Sequence, residues 1–192
     1  MALSFLGRLF GSRPNPGLEN LENLENLETL ETRANRGEAD AQFGLGLKFA
    51  NEGAAQDYVQ AAHWYRKAAE QSHGLAQLNL GTMHELGQGM PRDEAKALLW
   101  IQTAANLGDA GAQYKLGIKH HRASFGVSPE PAAQSRIEAY KWLHLASLQG
   151  YGGSDTARAF VSLKMTMDDV TEGTRKATAF VPGNVAPDCA AF

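Results

Sequence analysis

The chain has one cysteine, Cys189, in 192 residues. A single thiol excludes an intramolecular disulfide and any zinc site built from several cysteines, and it fits a reducing compartment. A basic excess is missing as well: 18 Lys and Arg face 21 Asp and Glu, a formal net charge of −3. Five of the glutamates lie between Leu18 and Thr32 with no basic residue among them, so the remainder holds 18 basic against 16 acidic residues. A body so close to neutral has no phosphate-binding stripe, and nucleic acid is not an expected partner. Long apolar runs are also absent. The run around Leu3, Leu6, Leu9 and Phe10 is broken by Arg8, with no basic lead-in and no small-residue cleavage pattern after it. It falls far below the roughly 20 apolar residues of a membrane span. A cytoplasmic protein is expected, with Leu3 to Phe10 and Cys189 (in the prenylation-box form Cys189-Ala190-Ala191-Phe192) as the candidates for membrane contact.

Catalytic patterns are equally sparse. No nucleophile–base arrangement, phosphate-cradling glycine loop or paired acid stands out, and Asp168-Asp169 reads as favourable charge at a helix N-terminus. A non-enzymatic protein is expected, with no catalytic, cofactor-binding or metal residues and no cofactor.

What the sequence does have is one short text written three times. Trp64, Trp100 and Trp142 each stand in an alanine-rich block, with an alanine three residues before each Trp (Ala61, Ala97, Ala139) and Asp57, Asp93 or Ser135 seven before. An earlier block begins with Ala-Gln and ends with glycine: Ala41-Gln42 to Gly46, Ala76-Gln77 to Gly81, Ala112-Gln113 to Gly117. The Ala-Gln pairs lie 35 and then 36 residues apart, a period that marks stacked helical repeats. The spacing predicts first helices over about 38–51, 74–86 and 109–122 and second helices over about 57–71, 93–107 and 135–149. Asp57, Asp93 and Ser135 are the expected N-caps. Gly46, Gly81 and Gly117, kept at one helical register, imply close packing, expected beneath the Trp ring of the same repeat. Gln42, Gln77 and Gln113 recur with the scaffold and read as structural. Gly150 opens a further half repeat with a helix over 154–163, and Thr166 caps a last helix reaching about Phe180.

The organisation read from this is an acidic, low-complexity Leu-Glu-Asn segment within 1–36, a solenoid over 37–180 and a tail over 181–192. In the Leu18–Thr32 tract, leucines three apart drift by about 60° per step on an α-helix and form no single stripe.

These blocks resemble the Sel-one-like repeat, a relative of the tetratricopeptide repeat with a longer, glycine-containing loop between its helices. The resemblance is carried by Ala61-Ala62-His63-Trp64-Tyr65-Arg66-Lys67-Ala68-Ala69 and by Gly87-Gln88-Gly89-Met90-Pro91-Arg92-Asp93, and it covers about residues 33–180. It implies an all-α fold, a right-handed α-solenoid of about three helix–loop–helix repeats with a C-terminal capping helix pair. Its implied function is a bacterial protein-interaction module: an adaptor or scaffold, alternatively a stoichiometric inhibitor of one toxin or enzyme, or a membrane-associated scaffold. A monomer is expected, with protein partners.

The sequence departs from the resemblance in two informative places. The family's loop-preceding tyrosine is Phe49, His84 and His120 here, and His121 follows the last of these. The glycine-to-cap spacing is 11, 12 and then 18 residues, an excess of six around Phe125-Gly126-Val127. His84, His120, His121, Phe125 and Val127 are therefore the candidate partner-binding residues. The scaffold-defining residues are Gly46, Gly81, Gly117, Trp64, Trp100, Trp142, Asp57 and Asp93.

Overall fold

The computed structural model describes residues 30–52 and 54–183. Leu3 to Phe10, most of the Leu-Glu-Asn tract and Cys189 lie outside the described residues. After a helical segment over 30–35 come α1 (Ala39–Glu52), α2 (Ala55–Glu70), α3 (Gly74–Leu86), α4 (Glu94–Asn106), α5 (Ala110–Ala123), α6 (Pro129–Leu148), α7 (Ser154–Ser162) and α8 (Met167–Thr178). The helices pair as α1 with α2, α3 with α4 and α5 with α6, and α2 packs on α3 and α4 on α5 to stack the pairs. The result is an all-α solenoid, whose core is a row of alanine-rich clusters running along the stack.

Local chemistry starts most of these helices. The carboxylate of Asp93 accepts from the Lys96 amide at 3.0 Å, that of Asp109 from Ala112 at 2.7 Å, and the Thr166 hydroxyl from Asp169 at 3.2 Å. Nδ1 of His73 takes the same role for the Ala76 amide at 3.2 Å. Asp57 does not cap α2. The helix starts two residues earlier, and Asp57 in its first turn accepts from the Ala54 amide at 3.2 Å. The short first loop leaves the alanines ahead of Asp57 free to join the helix. Ser135 is likewise not a cap. Pro129 and Pro131, whose fixed φ suits a first turn, start α6 after Ser128, so most of the six extra residues lengthen the helix instead of the loop.

The glycine register meets a different residue from the one expected. A Cβ on Gly46 would lie 2.4 Å from Tyr65, on Gly81 2.9 Å from Ile101, and on Gly117 2.7 Å from Leu143. Each contact is the residue after the tryptophan. One residue along a helix is about 100° of rotation, which turns the Trp off its own glycine and into the seam with the preceding layer. Trp64 packs on Ala34, Ala41 and Leu45, Trp100 on the cluster of Ala61, Tyr65 and Leu80, and Trp142 on Ile101, Ala105 and Leu116. The tryptophans bind each layer to the one before it.

Buried glutamines reinforce the same seams. The amide of Gln42 donates to the Ala34 carbonyl at 3.1 Å, Gln77 to Ala69 at 3.0 Å and Gln113 to Ala105 at 3.2 Å. Each adds a second donor to a carbonyl at the end of the preceding helix, which also accepts from the amide of Gly37, Ser72 or Gly108.

The C-terminal end is closed from two sides. Both α7 and α8 pack on α6. Val161 of α7 joins Ala139 and Leu143, while α8 brings Gly173 against Tyr140 and Ala177 into the cluster around Trp142. Phe180 meets Trp142 edge-on at 5.5 Å, and Lys176 reaches Glu138 at 2.5 Å.

Candidate partner-binding site

The three histidines singled out by the sequence go to three places. His84 is 7% exposed at the end of α3, its Nδ1 enclosed without a partner, and its backbone carbonyl accepts from the Asp93 amide at 2.9 Å. Burial pushes its pKa below the ordinary imidazole range, with Lys96 adding to the shift and Asp93 opposing it. His120 turns towards Glu138 and Lys141; burial depresses its pKa, and the Glu138 charge works against that. Among the described residues no group of three His, Cys, Asp or Glu is placed to hold a metal ion.

His121, about 100° further round α5, enters a different cluster. Its ring meets the Phe125 ring edge-on at 4.9 Å and the Phe160 ring at 5.8 Å. The loop is set locally: Ser124 Oγ donates to the His121 carbonyl at 2.7 Å and the Phe125 amide to that of Arg122 at 3.2 Å, which closes α5 and turns Phe125 outward. Phe160 comes from α7. With Val161 buried at 1% against α6, its neighbour Phe160 faces out of that cluster. Phe125 is 63% and Phe160 61% exposed, and Val127 in the same loop is 49% exposed. Large apolar side chains grouped at the surface in this way mark an interaction site.

A cation completes the group. Burial depresses the pKa of His121 and the nearby Arg136 charge lowers it further. Nε of Arg136 is enclosed with no hydrogen-bond partner, as is Nδ1 of His121. The sequence brought His121, Phe125 and Val127 forward but missed Phe160 and Arg136. Arg136 stands six residues before Trp142, where the other copies have Tyr58 and Glu94, and Phe160 lies on the helix after the last full repeat. Phe160 beside the inward Val161 was the available signal.

Other polar clusters are satisfied from within. Glu85 sits between Lys115 at 2.7 Å and Lys119 at 2.5 Å. Burial alone would raise its pKa, but the hydrogen bonds from both lysines outweigh that and hold the carboxyl below its usual value. A recess of about 390 Å³ between α6 and α8 is lined by Asn106, Glu138, Lys141, Arg175, Lys176 and Phe180 among others. There Glu138 faces both ammonium groups, Lys176 at 2.5 Å and Lys141 at 3.9 Å. Burial pulls the Lys141 pKa down against the pull of Glu138.

Compared with known families, the chain matches the Sel1 repeat three times, over residues 39–73, 74–109 and 110–151. Each match spans one helix pair. A curated relative, the ERAD-associated E3 ubiquitin-protein ligase component HRD3A of Arabidopsis thaliana, is 47% identical over 45 residues, 23% of this chain and 7% of that protein. Among solved structures, c5321, a protective antigen present in uropathogenic Escherichia coli strains displaying an SLR fold, superposes with a TM-score of 0.69 at 26% identity. That alignment covers 84% of this chain and 33% of the antigen. A Sel1 repeat protein from Oxalobacter formigenes is 32% identical with a TM-score of 0.58, over 70% of this chain and 98% of that one. The chain thus spans a small part of the plant relative and about a third of the antigen.

Proposed function

The chain belongs to the Sel1 repeat family, and from that premise we propose that it is a non-catalytic adaptor that docks a protein partner on the surface formed by His121, Phe125, Val127 and Phe160. Sel1 repeats are in general protein–protein interaction modules. The observation that supports this particular surface is the exposed pair Phe125 and Phe160, both held against the His121 ring. Two rigid aromatic rings fixed by a third group lose little conformational entropy on binding, which is what anchor residues of an interface require. The reading includes a cytoplasmic setting, checked by fractionating cells that produce the full chain.

A photo-crosslinking side chain at position 125 tests the surface. A discrete protein adduct that disappears in Phe160→Ser is the expected result. An adduct formed instead from position 47, where Leu47 is exposed on the first repeat, with none from 125, would move the docking surface elsewhere.

A further inference from the structure

Resting on that reading of the surface, we propose that its occupant is a peptide segment carrying a carboxylate beside an apolar side chain. The carboxylate pairs with Arg136 and the apolar side chain lies against Phe125 and Phe160.

Arg136 is unlike the other described arginines. Arg33, Arg158 and Arg175 each have an acidic partner within 3.1 Å, and Arg92 pairs with Glu94. Arg36, Arg66 and Arg122, which form no ion pair among the described residues, are exposed and solvated by water. Arg136 is partly buried, has no acidic partner among the described residues, and encloses an Nε that donates to nothing. A partly buried guanidinium with an unpaired N–H and no counter-ion carries a desolvation cost that an incoming carboxylate offsets. Its planar fork suits a carboxylate taken by two parallel hydrogen bonds.

The stretch of chain that carries the site is basic by sequence. Residues 110–165 contain seven Lys and Arg against three Asp and Glu, a net of +4 in a chain whose total is −3. Two of the three acidic residues are engaged elsewhere: Glu138 faces Lys141 and Lys176, and Asp155 pairs with Arg158. A nucleic acid fits less well, because Arg136 is a single cation near His121 and not one of a row that would follow a phosphate backbone. Phe125 and Phe160 supply the apolar contact, with more than half of each ring side chain open to a partner.

The test is selection of a random phage-displayed peptide library on the full chain, followed by fluorescence anisotropy with the enriched peptides resynthesised. Enrichment of an Asp or Glu within two residues of an apolar side chain is expected, with binding that weakens as salt rises. Affinity should fall about tenfold or more in Arg136→Gln, and by a similar factor when the peptide's acid is replaced by its amide on the unaltered protein. The second comparison does not depend on how any variant folds. Arg136→Lys should recover only part of the loss. Selected peptides that lose affinity in Phe125→Ser but not in Arg136→Gln, nor on amide replacement, would leave the surface standing and overturn the carboxylate chemistry. Peptides insensitive to all of these changes, or no enrichment at all, would overturn both. Displacement of the peptide by a short oligo-dT strand acting through Arg136, or by a peptide of the chain's own Leu18–Thr32 tract at lower concentration than any selected sequence, would also overturn the proposed partner.

Discussion

Gln71 donates its side-chain amide to Oε1 of the buried Gln42 at 2.8 Å, tying the end of α2 back into α1. Gln149 does the same for Gln113 at 2.9 Å, one helix pair from the other end. In the middle repeat the matching position is Leu107, and Oε1 of Gln77 is enclosed with no partner. A buried acceptor left without a donor forfeits free energy that a hydrogen bond would return, typically about 0.5–1.5 kcal/mol. Leu107 is only partly buried and belongs to none of the apolar clusters, so little packing is lost by changing it. Leu107→Gln should therefore stabilise the chain by about that amount. Urea unfolding measures it; an unchanged or lower midpoint would mean that Gln77 is already satisfied or that Leu107 packs better than its exposure implies.

The glycine slots set two effects against each other. Alanine is about 1 kcal/mol better than glycine inside a helix, but a Cβ at Gly81 would stand 2.9 Å from Ile101 and 3.1 Å from the Ala97 carbonyl oxygen. That carbonyl is backbone and cannot step aside, and overpacking of this kind costs about 1–3 kcal/mol. Gly81→Ala should thus be net destabilising and Gly81→Leu more so. Gly44 is the control, since its Cβ would meet only the end of the Leu30 side chain at 3.2 Å. There Gly44→Ala should be neutral or stabilising. Thermal unfolding of the variants decides, and a stabilised Gly81→Ala would remove the close-packing account.

A backbone comparison gives the next expectation. Each layer ends with a residue in the left-handed region: Gly37 at φ +99°, Ser72 at +64°, Gly108 at +98° and Gly150 at +71°. Ser72 is the one non-glycine with positive φ among the described residues. A side chain there costs about 1–2 kcal/mol, while glycine loses more entropy on folding by about 0.5–1 kcal/mol. The strain is the larger of the two, so Ser72→Gly should raise stability by a few tenths to about 1 kcal/mol. Gly108→Ala should lower it. Calorimetry showing the two changes with the same sign would contradict this balance.

The repeat and its helices were legible because stacking imposes one pattern on every copy. Alanine where axes approach, glycine where a side chain inserts and a buried glutamine at each seam all follow from the same contact made three times. What depends on a single copy was not legible. Analogy with Asp93 points to Ser135 as the start of α6, whereas Pro129 and Pro131 suit a first turn and the chain begins the helix there. The tryptophans were placed over their own glycines because sequence shows a register but not the rotation between neighbouring layers. At the candidate site, His121 and Phe125 are close in sequence and were found together. Phe160 reaches them only through the docking of α7, which no repeat spacing encodes, and Arg136 fills a register held by Tyr58 and Glu94 in the other copies, so no shared pattern marks it.

The histidines give the chain a pH dependence whose direction follows from burial. The pKa of His84, His120 and His121 is pushed below the ordinary 6.5 by burial first, so the fold holds these rings neutral. Below 6.5 the unfolded chain binds protons that the folded chain resists, and stability falls as pH drops from there through the folded values. Above 6.5 the contribution is fully present. Phenylalanine already fills this register in the first repeat as Phe49, so His84→Phe with His120→Phe should keep the fold and flatten the slope between about pH 7 and pH 5. A second loss is expected below the ordinary carboxyl value of 4.5, where protonation of Glu85 releases Lys115 and Lys119. The double variant should leave that acid branch intact, because Glu85 keeps both lysines. Unfolding midpoints across the range check both branches: an unchanged slope in the double variant would place the neutral-range dependence on other groups, and loss of the acid branch in Glu85→Gln alone would assign it to this pair of bridges.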